Sequence, residues 1–145
     1  MKSEMSIIMI AISVIAGLVI TMNILVTNPK HIRIHINDFY MAFLMAGVML
    51  LLGSIVFYNS IDNVNTLIII SILIIVFTFI AIRYQFLVDD DQYLSGMIPH
   101  HSMAVLMSEK IIDKTKNPRV KKLATNIIKN QNEEINEILD ILNNS

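Results

Sequence analysis

TLIIISILIIVFTFIAI, residues 66–82, runs without a charge and is followed at once by Arg83. With Tyr84, Phe86 and Leu87 behind it, the stretch reaches about residue 86, close to the roughly 20 residues a helix needs to cross a bilayer. Two similar stretches precede it. Residues 39–58 (FYMAFLMAGVMLLLGSIVFY) are uncharged, with Tyr40 and Tyr58 near the ends, where aromatic rings favour the membrane boundary. Residues 5–26 (MSIIMIAISVIAGLVITMNILV) are also uncharged. They are too long for the apolar core of a signal peptide and lack a convincing small-residue cleavage site. Only the last third of the chain could shield these runs in a soluble protein. The sequence therefore predicts an all-α protein with spanning helices at about 5–26, 39–58 and 66–86, in a membrane region covering residues 1–88.

Composition points the same way. The 145 residues have a mean hydropathy of +0.62, and only 16% are charged. The net charge of −1 offers no footprint for nucleic acid. With no Cys, the chain holds no disulfide scaffold, thiolate metal site or thiol nucleophile. Chemistry is left to ten Met, four His and the carboxylates.

Ser13, Gly17 and Thr21 recur every four residues, a small-residue face that lets helices approach closely. Met5 and Met9, and Met41, Met45 and Met49, recur likewise. Such stripes serve as adaptable packing or as a path for a soft metal. Three crossings put the loop 27–38 and everything after residue 88 on one side, so His31 and His35 share a compartment with His100 and His101. Lys30, Arg33 and Arg83 on that side, against Lys2 on the other, favour the cytoplasm for it.

Residues 89–145 read as a helical hairpin. Asp89 or Asp90 can cap the first helix, which runs to Asp113 or Lys114 with a kink expected at Pro99. Asn117-Pro118 marks the turn, and Val120, Leu123, Ile127, Ile128, Ile135, Ile138 and Leu142 follow at helical spacing. A hairpin this small buries little apolar area, so a homodimer that pairs two hairpins as a four-helix bundle is expected.

The chemistry-bearing residues cluster in Met97-Ile98-Pro99-His100-His101 and just beyond. Asp90, Met97 and His101 share one helical face; His100, Met103 and Met107 share the next. Imidazole and thioether together form a soft donor set that suits Cu(I), with Cu(II) open to both imidazoles and an oxygen donor. The bland reading is two surface histidines and ordinary core methionines. No nucleophile, base and orienting group line up, nor does the carboxylate set of a di-iron oxidase, so no enzyme is expected.

Asp90, MIPHH at 97–101, Ala104, Met107, NPRV at 117–120, KKLA at 121–124, Gln131 and Glu134-Ile135 together resemble the domain-of-unknown-function family 305 over residues 88–142. The three spanning helices and the Val88-Asp89-Asp90 junction look like a membrane-bound branch of it. The resemblance implies a ferritin-like fold of paired hairpins, of which this chain supplies half a four-helix bundle. It also implies copper binding or copper resistance. Met97, His100, His101 and Met107 would be the ligands, with Asp90, Gln131 and Glu134 as auxiliary groups. Asp90 would accept a His101 ring N–H; Gln131 and Glu134 read equally as a solvated polar face. Met103 is an additional donor, and Ile138 stands where the family often carries Met. Family members usually work outside the cytoplasm, against the loop charges, so the side stays open. A membrane copper-homeostasis protein follows as the expected function, with a copper transporter or chaperone as candidate partner. The competing reading is a membrane-bound interaction module, dimerising or serving a transporter, without metal.

Overall fold

The computed structural model describes residues 2–19 and 22–144. These form α1 (Lys2–Val19), α2 (Ile36–Val56), α3 (Val64–Tyr84), α4 (Asp90–Ile112) and α5 (Pro118–Asn144), with short 3₁₀ helices at Met22–Leu25, Pro29–His31 and Tyr58–Ser60 and no strand among the described residues. The chain divides into two compact units. One comprises Met1–Thr21 and Ile36–Leu87; the other comprises Met22–His35 and Val88–Ser145.

In the first unit α2 packs against both α1 and α3. Small residues make this possible. A Cβ on Gly17 would lie 2.7 Å from the Ala42 Cα, so α1 and α2 meet backbone to backbone there. Ala42, Ala46, Gly47 and Ser54 of α2 and Ser71, Thr78 and Ala81 of α3 are buried. The Ser71 and Thr78 hydroxyls donate to the Leu67 and Ile74 carbonyls at 2.6 and 2.7 Å, which satisfies them within their own helix. The large apolar side chains point the other way: Phe43, Leu52, Ile55, Leu73, Phe77 and Phe79 are all exposed. Only 28% of the most apolar window of α2 and 17% of that of α3 is buried. Small and hydroxylated residues inside with Ile, Leu and Phe outside reverse the order of a water-soluble bundle. Both helices are long and apolar enough to cross a membrane.

The expected first span, 5–26, differs. Among the described residues α1 covers Lys2–Val19 and a 3₁₀ helix follows at Met22–Leu25, and the helices that meet the length and apolarity needed to span are α2 and α3. Within the 3₁₀ helix the Asn23 amide donates to the Arg33 carbonyl (2.8 Å) and accepts from the Arg33 N–H (3.0 Å). Thr21 of the expected small-residue face lies outside the described residues, as do the side chains of Met5 and Met9. Met41 and Met49 sit exposed on the outer surface of α2.

α3 closes on Gln85 in the left-handed region (φ 49°), whose side chain donates to the Ile82 carbonyl and accepts from the Asn37 amide, while Tyr40 Oη donates to the Phe86 carbonyl at 2.7 Å.

In the second unit Asp89 caps α4, its carboxylate accepting from the Gln92 N–H at 2.8 Å, with Asp90 and Asp91 in the positively polarised first turn. α4 continues through Pro99, which leaves the Ser95 carbonyl without its usual donor. α4 packs on α5, burying Ile98, Val105, Ala124, Ile135 and Ile138. The hairpin is not bare. Residues 22–35, expected to be the end of the first span and most of the loop 27–38, form a strap along α4. Fully buried Ser102 holds it: its Oγ accepts from the Thr27 N–H (2.8 Å) and lies 3.0 Å from Thr27 Oγ1 and 2.9 Å from His31 Nδ1. Farther along, Gly96 leaves room for the His35 ring, whose carbons would lie 3.2–3.3 Å from a Cβ at that position.

Candidate metal centre

His101 faces α5 and is buried, while His100, one residue earlier and about 100° around the helix, is exposed. Their ring centroids are 5.9 Å apart and tilted by 55°. Across the hairpin, Glu134 Oε2 lies 3.4 Å from His101 Nδ1, an approach too poorly aligned for a hydrogen bond, so Nδ1 is a buried polar atom with no hydrogen-bond partner. Gln131 Nε2 donates to the same Glu134 oxygen at 3.4 Å. The hairpin thus brings His101, Glu134 and Gln131 together from two helices.

Other expected ligands fall elsewhere. Met97 is half-buried one turn before His101, and half-buried Met103 lies on the neighbouring face with His100. Met107 is 61% exposed and lines an apolar groove near the turn with Ile111, Val120 and Leu123. Six residues of helix place it about 9 Å along the axis from His101. Asp90 is exposed in the first turn of α4, eleven residues and so about 16 Å of helix axis from His101. It cannot accept the His101 N–H. Sharing a helical face does not bring residues three turns apart into contact, and Glu134 holds the carboxylate position instead. Among the described residues no three His, Cys, Asp or Glu side chains converge as a metal cluster.

Burial lowers the pKa of His101 below 6.5; Glu134 opposes this with a smaller upward pull, and His100 adds a downward push. His31 is lowered as well, by burial first and then by Arg33. Both imidazoles therefore favour the neutral form. For His101 that is the form that ligates a metal. A single ion bound at about 2.0 Å by two imidazoles holds their ring centroids roughly 5–6.4 Å apart, so the His100–His101 spacing fits. Two imidazoles and a thioether one turn away would make a soft donor set.

The lowered values have a consequence for stability. Between the folded pKa and 6.5 the unfolded chain binds protons that the folded one does not, so stability is complete above 6.5 and falls as pH drops below it. The metal-free protein should melt at lower temperature at pH 5 than at pH 7. His31→Asn, which retains a polar group for Ser102, should flatten part of that slope; an unchanged slope would remove His31 from this account.

Thr27, His31 and Ser102 carry no sequence signal for their meeting, since 71–75 residues separate the partners.

Residues 87–144 match the domain of unknown function DUF305. Over 142 residues the chain is 46% identical to "Uncharacterized protein L153" of Acanthamoeba polyphaga mimivirus, covering 98% of this chain and 93% of that protein. The similarity runs through the N-terminal helices as well as the hairpin. No solved structure matches the chain.

Proposed function

The chain belongs to the DUF305 family, and from that premise we propose that it is a membrane-anchored copper-binding protein acting in metal buffering, delivery or resistance. The observation that carries this reading is the buried Nδ1 of His101, without a hydrogen-bond partner and beside Glu134, with the His100 ring 5.9 Å away. His100 and His101 would hold the ion with Met97. Glu134, steadied by Gln131, would accept the Nδ1–H of His101 and so leave the ring's Nε2 to the ion. Copper bound there would be stored or passed on, and α4 and α5 supply the rigidity that keeps the donors in register. Copper content after loading, compared between the wild-type protein and a His100→Ala/His101→Ala variant, tests it. Equal metal in both would return the hairpin to a metal-free interaction module.

The anchor is multi-pass on this reading. α2 and α3 separate the strap from α4, and two crossings return the chain to the side it left. The strap and the hairpin then share one compartment, as the Thr27–Ser102 and His31–Ser102 contacts require. Because the chain has no Cys, Lys30→Cys and Lys116→Cys can each be probed with a membrane-impermeant thiol reagent. Both should react from the same side. Labelling from opposite sides would break the two-crossing topology. The choice of compartment is to be read from the same labelling.

A further inference from the structure

The hairpin is divided by charge. Six of the chain's eleven Lys and Arg lie within residues 110–122, where Asp113 is the one acid, whereas residues 133–144 carry Glu133, Glu134, Glu137 and Asp140 and no cation. Eighteen residues make about five turns of α-helix. Arg119 therefore lies in line with Glu137 on α5, and Leu123 in line with Ile141. These positions are uncovered: Leu123 is 61% exposed and Ile141 46%, while Ile135 and Ile138, on the side toward α4, are buried. At the turn end the stripe opens into the apolar groove shared with Met107 and Ile111, with Lys110 and Lys114 also lining it.

We propose, independently of any metal, that this face pairs with the same face of a second copy, the two α5 helices antiparallel about a twofold axis near Asn130. Asn130 is the midpoint between Leu123 and Glu137 and also between Arg119 and Ile141. Around that axis the Leu123 and Ile141 side chains of the two copies interleave, and each Arg119 stands within one turn of the partner's Glu137. The incoming C-terminal end of α5 arrives beside Lys110 and Lys114, which complement its unpaired carbonyls and negative dipole end. An isologous contact demands a self-complementary surface. This face is one in its halves, since the basic end at 110–122 lies along the partner's acidic end at 133–144 and the apolar side chains are staggered by about one turn between the charges, whereas a parallel pairing would set the basic ends against each other. A lipid headgroup or an acidic partner would account for the basic half and leave the acidic half unexplained. The pairing leaves Ile135 out of the interface, because it is buried inside its own hairpin.

The test uses the full chain, free of metal, in mild detergent at low ionic strength. A detergent-corrected mass should give a dimer. Leu123→Glu should be monomeric with unchanged helix content, since position 123 is exposed. Arg119→Glu should weaken association about tenfold, and Arg119→Glu/Glu137→Arg should restore it. With no native cysteine, Asn130→Cys should cross-link to its own copy under mild oxidation, and Asn136→Cys, about 120° around α5 from it, should not. A monomeric wild-type chain, a charge swap that fails to restore the dimer, or equal cross-linking at 130 and 136 would overturn the pairing. A monomer that binds anionic vesicles and loses that binding in Leu123→Glu would overturn it in favour of lipid.

Discussion

His101→Ala is expected to weaken Cu(I) binding by about ten- to a hundredfold or more, because it removes the buried imidazole from a site with few donors. The same change leaves Glu134 facing an empty, partly buried space. The neighbours should grade by distance. Met97→Leu should cost affinity, since its sulfur lies one turn away on the same face. Glu134→Gln should act more mildly, by loosening the His101 ring. Met107→Leu should be silent, because Met107 lines the groove near the turn. Competition against a chromophoric Cu(I) chelator under reducing conditions measures all four. If Met107→Leu cost as much as His101→Ala, the site would lie at the groove; if none of them mattered, the metal reading would fall.

Ile98→Ala should be the most damaging single truncation in the second unit. Ile98 has no exposed surface, and deleting a buried Ile side chain typically costs about 2–5 kcal/mol. The unit consists of 22–35 and 88–145. Cores of that size rarely supply more than roughly 3–5 kcal/mol, so the loss rivals the whole margin. Ile98→Val, at about 0.5–1.5 kcal/mol, should stay folded. Hydrogen exchange of the α4 amides should rise toward that of an unfolded chain in Ile98→Ala and change little in Ile98→Val. Protection retained in Ile98→Ala would mean that the unit draws its stability from elsewhere.

What could be read from sequence was local. The Asp89 cap, Pro118 at the first position of α5 and the burial of Ile135 and Ile138 each rest on residues within a few turns of one another, whereas Val120 and Leu123 of the same expected stripe are exposed. The apolar runs at 39–58 and 66–86 announced α2 and α3 for the same reason. For the run at 5–26 the described residues give α1 to Val19 and a 3₁₀ helix at Met22–Leu25, where Asn23 bonds to Arg33, a partner ten residues away that absence of charge does not announce. The site was half visible. MIPHH marked the histidines, but the partner of His101 depended on how α4 lies against α5. That selects Glu134 and leaves Asp90 at the far end of its helix. The strap was invisible, since nothing in Thr27 or His31 names Ser102.

That strap makes the second unit discontinuous, with α2 and α3 inserted between its two parts. On the ribosome residues 22–35 emerge long before their dock, and loop closure over more than seventy residues must precede the reward of burying Ser102. The unit can therefore complete itself only after both apolar helices have been made and the chain has been elongated well into α4. Any chain arrested earlier carries an undocked strap, and chaperones or proteases could recognise it as unfinished.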